Sequence, residues 1–251
     1  MSRVRKLILG HGIVNHKPSN ALKAQVYIVL RIWRNYSHHD FGIERFIRLF
    51  LACAQFLSLS LYLKHVLGSF NSTTRKIAIE IYVLFKMIFP LLLLSFGWKE
   101  YYWTLPVIVY FLVETVLYVT SLIFISDVVR ENVQPRRSLA LLFINFFELV
   151  FDFAFIYAFY DTRLAEFFTR DLHGGIDAIY FSFVTAATVG YGDIAPKASL
   201  AEKLAIGQLT VTFIFVGLFL NYFANLLNRV NQVNTSNDYK KMRHTKKTQN
   251  P

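Results

Sequence analysis

A chain of 251 residues that is 55% hydrophobic and 17% aromatic, with 25 Phe, has more apolar surface than a soluble protein of this size can bury, and so reads as integral to a membrane. The formal charge of +11 gathers at the two ends and in short breaks between apolar runs, a pattern of lipid headgroups and cytoplasmic loops rather than of nucleic-acid binding. A single cysteine, Cys53, excludes an intrachain disulfide and any zinc spacing, and the absence of a nucleophile with a base or of a phosphate loop argues against an enzyme.

Residues 1–43 are a basic N-terminal segment. Within it, Ala21 to Arg34 has helical period, with Val26, Leu30 and Trp33 on one side and Lys23, Arg31 and Arg34 around them, which predicts an amphipathic helix on the membrane surface. No apolar signal core precedes a small-residue cleavage site, so no cleaved export peptide is expected. His38-His39-Asp40 lacks further ligands nearby and reads as a polar loop.

Upstream membrane helices are expected in 44–130, at about 46–66, 77–97 and 105–126, and a fourth apolar run follows at 138–160. Each approaches the roughly 20 residues that cross a bilayer. The first run is the weakest, broken by Arg48, Gln55 and Lys64. After a polar stretch ending in Gly174-Gly175, the apolar segment 176–187 has only 12 residues, too short to cross and suited to re-entry. A last run, 203–227, is long enough to cross again, and 229–251 reads as a basic, disordered tail. Its cluster Lys240, Lys241, Arg243, Lys246 and Lys247 suits anionic headgroups or simple solubility.

Between the short segment and the last run lies Thr185-Ala186-Ala187-Thr188-Val189-Gly190-Tyr191-Gly192-Asp193. Gly190 and Gly192 permit a backbone that alternates between right- and left-handed dihedrals, the conformation that turns successive carbonyls toward one axis. The string Thr-x-x-Thr-Val-Gly-Tyr-Gly-Asp resembles the signature of potassium channels, in which carbonyl oxygens replace the water shell of the ion. The resemblance implies a pore module over 138–228: outer helix, re-entrant pore helix with Asp177 and Thr185, filter and inner helix. It also implies potassium ions held by the backbone carbonyls of Thr188, Val189, Gly190 and Tyr191, with Gly192 completing the filter and Asp193 at the outer mouth. The fold class expected is an all-α integral membrane protein assembled as a fourfold homotetramer, since one filter strand cannot encircle an ion. A multi-pass protein of the plasma membrane, in contact with anionic headgroups and with no nucleic acid, is the corresponding setting. An energy-coupled transporter is disfavoured because only one such loop is present, and a non-selective channel because Gly-Tyr-Gly is intact.

Two positions depart from the family pattern. Val184 stands where some relatives carry a Glu that pairs with the filter Asp, and Thr212 stands where many have a hinge glycine, although Gly207 and Gly217 flank it. Asn221, Asn225 and Asn228 form a polar stripe that suits either a hydrated gate or contacts between helices, and Thr210, Thr212 and Gly217 are further cavity or gate candidates. Glu80, Lys86, Glu114, Glu148 and Asp152 lie inside apolar runs and need partners or water. The spacing of Arg130, Arg136 and Arg137 is not that of a voltage sensor.

Topology poses a conflict. If the filter mouth faces out, the outer helix starts in the cytoplasm and three upstream spans place the N-terminus outside. Nine Lys and Arg among residues 1–48 belong inside. An interfacial or re-entrant 46–66 resolves this better than export of the basic segment.

Overall fold

The structure, a computed structural model, describes residues 21–34, 42–67, 72–125 and 135–248. His38 to Asp40, Asn71, Arg130 and the first 20 residues lie outside these. The described residues form eight α-helices: α1 (Ala21–Arg34), α2 (Gly42–Ala54), α3 (Leu59–Val66), α4 (Ser72–Ser95), α5 (Thr104–Phe124), α6 (Pro135–Asp161), α7 (Gly175–Ala186) and α8 (Ser199–Thr248). Short 3-10 turns at Gln55–Leu57 and Trp98–Glu100 join them. Four segments are long and apolar enough to cross a membrane: Ile77–Ser95, Thr104–Phe124, Ser138–Asp161 and Ser199–Ala224.

The outer helix α6 is the hub. Pro135 opens it, where a missing N–H costs nothing and φ is preset for a helix. Its residues from Leu149 to Phe159 are almost all buried, because α4, α5, α7 and α8 all pack around it. Against α8 the contact is aromatic, Phe143 on Phe219 at 4.7 Å and Phe146 on Phe215 at 5.7 Å, which fixes the two helices antiparallel. Against α7, Tyr157 meets Phe181 edge-on at 4.9 Å. Such ring pairs supply packing where lipid gives no hydrophobic drive between helices.

One end of the bundle is tied by Arg163. Its guanidinium donates to the carbonyls of Lys99 at 2.8 Å and Glu100 at 2.6 Å, and lies 3.6 Å over the Phe159 ring. The end of α4, the start of α5 and the end of α6 therefore share one face, and Phe96, Trp98, Tyr101, Tyr102 and Trp103 form an exposed aromatic belt there.

The run expected to span from Phe46 to Val66 is not one straight helix. α2 ends, a 3-10 turn follows, and α3 leaves at 62°. At the break Ser58 Oγ donates to Glu114 Oε1 at 2.6 Å and the Ser60 N–H reaches the same oxygen at 3.0 Å. Glu114 is halfway along α5, so the break sits at mid-depth. The amphipathic helix α1 packs on this pair: Gln25 Nε2 donates to the Ala52 carbonyl at 2.8 Å, and Ile32 joins Leu51, Ala52 and Ile125 in a small core.

The tail differs from the disorder expected of its composition. The inner helix continues unbroken to Thr248. Residues 228–248 contain no Gly or Pro, and extending an existing helix avoids the cost of nucleating one.

Candidate ion-conducting site

The pore helix α7 is short, apolar and capped at both ends. At its start the Asp177 carboxylate reaches back to accept the His173 N–H at 3.1 Å and lies 3.6 Å from Arg170 Nη2, where the helix dipole favours a negative charge. At its end the Thr188 N–H donates to the Thr185 carbonyl and the Val189 N–H to the Val184 carbonyl, both at 3.0 Å. That pair of bonds is a Schellman motif, and Thr188 occupies its left-handed position with φ +55°. Glycine is usual there. A β-branched residue in this conformation is strained, and the strain sits at the point where helix becomes filter.

The alternation continues. Among the described residues of the signature, positive φ occurs at Thr188, at Gly190 (+60°) and at Gly192 (+80°), every second position. The right- and left-handed alternation that lets carbonyls line one axis is thus present in the backbone of this segment. After it the chain is pinned to the loop that precedes the pore helix. The Thr169 N–H donates to the Ala195 carbonyl at 2.9 Å, the Lys197 N–H to the Phe167 carbonyl at 3.0 Å, and Phe168 bridges Pro196. Ile194 is buried beneath these contacts.

Behind the filter a closed polar network ties the three pore elements together. Tyr157 Oη of the outer helix donates to Gln208 Oε1 of the inner helix at 2.8 Å. Gln208 Nε2 donates to the Ser182 carbonyl at 2.9 Å and its hydroxyl at 2.8 Å, and Ser182 Oγ donates to the Val150 carbonyl at 2.6 Å. All three side chains are buried and satisfied, so the network specifies one arrangement of the helices. Sequence reasoning missed it, although Gln208, a lone amide in an apolar run, was the available signal.

Tyr180 was missed as well. Its hydroxyl hydrogen-bonds Asp193, and its ring lies parallel to that of Tyr191 at 6.5 Å. Helix α7 thus reaches the end of the signature through Tyr180, four residues before the Val184 position where a Glu was noted as missing. Val189 and Tyr191 remain largely exposed in the single chain.

The inner helix sorts the remaining candidates by face. Ile206, Thr210, Phe213, Gly217, Leu220, Asn221 and Ala224 form one exposed stripe at helical spacing. Gly217 and Asn221 are on it, whereas Thr212 is buried inside the subunit at 3% exposure, about 200° around the helix from Thr210. Thr212 is accordingly corrected from a cavity residue to an internal one, and Thr210 holds the exposed position. Asn225 and Asn228 lie within the helix, with side chains outside the described residues.

A family profile described as "Ion channel" matches residues 140–229, from the outer helix through the pore helix and signature to the inner helix. Two-pore potassium channel 4 of Arabidopsis thaliana is 42% identical over 60 residues, 22% of this chain and 21% of that protein. Two pore potassium channel b of Oryza sativa subsp. japonica is 42% identical over 52 residues, 21% of this chain and 15% of that protein. The segment is therefore similar to ion channels, and to potassium channels among them. The chain spans about a fifth or less of the length of these curated relatives, and no solved structure matches it. Within the matched segment the signature runs from the end of α7 toward α8, and the matched family is one of ion channels rather than enzymes.

Proposed function

We propose that the protein conducts potassium ions passively and selectively across a membrane, with Thr188 to Gly192 as the filter. The observation that carries this reading is the positive φ at every second residue of the signature, placed directly after a capped pore helix. Four copies are needed to enclose an ion with one strand each. The exposed stripe of the inner helix, with Val189 and Tyr191, is the surface left for neighbouring copies and a water-filled axis. Potassium is the transported ion, held by backbone carbonyls of Thr188, Val189, Gly190 and Tyr191, and Asp193 with Tyr180 frames the outer mouth. The plasma membrane, with anionic headgroups facing the basic ends, is the proposed setting.

The test is the reversal potential of the purified protein in planar bilayers under a potassium gradient, with sodium on one side and Tyr191→Asp as the control. A reversal close to the potassium equilibrium value that collapses in the variant supports the reading. Equal permeability to sodium and potassium in the unaltered protein overturns it.

A further inference from the structure

We propose that Asp152, with Glu148 beside it, forms a proton-binding site that regulates conduction from behind the pore helix. Its effect on conduction rests on the channel reading above; the bound proton does not.

A cluster of polar groups meets inside the helix bundle away from the signature. Lys86 of α4 lies 3.0 Å from Glu148 Oε1 and 3.8 Å from Glu114 Oε2. Thr115 donates to Glu148 Oε1 and Lys86 donates to Thr115, both at 2.6 Å. Glu114 also accepts from Tyr82, Ser58 and the Ser60 N–H, so its carboxylate is fully supported. Asp152 is different. It is completely buried, one helical turn from Glu148, and neither of its oxygens has a hydrogen-bond partner; Glu148 Oε2 is unpartnered too.

Charge decides what the site holds. Lys86 offers one positive charge against three carboxylates, so the fully ionised cluster carries a net charge of −2 in a setting where a bare carboxylate is not sustained. The charged groups that act on Asp152 are Glu148 of its own helix and Lys86 of α4, and Lys86 in turn meets Glu114 of α5. The pore and inner helices contribute Ser182 and Gln208 to the nearby network. Among the described residues no second cation acts on Asp152. A proton on the Glu148 and Asp152 pair removes one charge and gives an unpartnered oxygen something to donate. No group of three or more ligating side chains suited to a metal ion occurs among the described residues.

The coupling to the pore is direct. Glu148 and Asp152 bracket Val150, whose carbonyl anchors Ser182 of the pore helix and, through Ser182, Gln208 of the inner helix. Releasing the proton leaves the carboxylates on both sides of that anchor ionised, with Lys86 as the cation beside Glu148. The outer helix must then shift to admit water, and the pore helix loses its fixed seat. The site is occupied at neutral pH and empties as pH rises.

The experiment uses the full chain in lipid nanodiscs and vesicles. Infrared spectroscopy of the unaltered protein at neutral pH is expected to show a protonated-carboxyl band that fades as pH is raised and is missing in Asp152→Asn. Glu114→Gln should retain it. Potassium flux from vesicles is expected to fall by about fivefold or more over the same alkaline range and recover on return. Asp152→Asn, which mimics the proton-bound state, should keep its flux throughout. Absence of a pH-sensitive carboxyl band in the unaltered protein overturns the site whether or not the protein conducts. A band with unchanged flux at every pH overturns the regulation, and sodium-dependent loss of the band would assign the site to a metal cation instead.

Discussion

Thr188 and Gly190 show how one residue fixes the path of the chain. Thr188 is strained because it ends the pore helix in a left-handed conformation, yet Gly190 and Gly192 accept the same conformation without penalty. An added Cβ at Gly190 would meet nothing within 4 Å in the single chain, so the cost of Gly190→Ala there is conformational, about 1–2 kcal/mol. We expect this variant to remain folded and lose potassium selectivity, as read from its reversal potential. Gln208→Leu tests the network behind the filter. It strips partners from Tyr157 and Ser182 in a buried site, and thermal unfolding in detergent should show a loss of about 1–3 kcal/mol. The glycines were legible in the sequence because their chemistry is local. Gln208 and Tyr180 were not, because their partners lie 26 and 51 residues from Gln208 and 13 from Tyr180, distances that only the packing closes.

At the scale of elements, the bent pair α2 and α3 decides the topology. α4 has 24 residues and is about 36 Å long, with its C-terminal end in the aromatic belt beside Arg163. Leu67 precedes Ser72 by five residues, a reach of at most about 18 Å, so α3 ends in the half of the bundle remote from that belt. α2 packs near the same remote end, against Ile125. The pair enters to Ser58 at mid-depth and leaves on the side it came from, which places the start of α2 on the side toward which α8 runs, the arrangement the positive charges favour. In a background lacking Cys53, Ile43→Cys should react with an impermeant thiol reagent only from the cytoplasmic side, and Tyr102→Cys only from the other. Labelling of both from one side would rule this topology out. The run 46–66 was visible as apolar, and its internal Arg48, Gln55 and Lys64 marked it as weak, but the bend depends on Ser58 finding Glu114, 56 residues away. The same cluster makes Lys86→Met costly. Two buried carboxylates lose their cation, and a destabilisation of about 3–5 kcal/mol is expected in thermal unfolding, with partial rescue by Glu148→Gln.

For the whole molecule, the proposed filter is unfinished in a single subunit. Val189 is 49% and Tyr191 70% exposed, and the inner-helix stripe from Ile206 to Ala224 is exposed in the single chain. The proposed tetramer would supply both a second wall for these side chains and three more filter strands. Ions then become part of the fold, since carbonyls brought together around one axis repel each other unless a cation lies between them. Anything that binds the assembled state alone stabilises it, by about 2.7 kcal/mol at a hundred times its dissociation constant. The purified assembly should therefore unfold or dissociate at lower temperature when potassium is exchanged for a large organic cation, and recover on its return. Gly190→Ala should melt at one temperature in both solutions, because its filter no longer gathers the carbonyls. A melting temperature of the unaltered protein that ignores potassium would mean that the strands do not meet around an ion, and the fourfold assembly would fall with it.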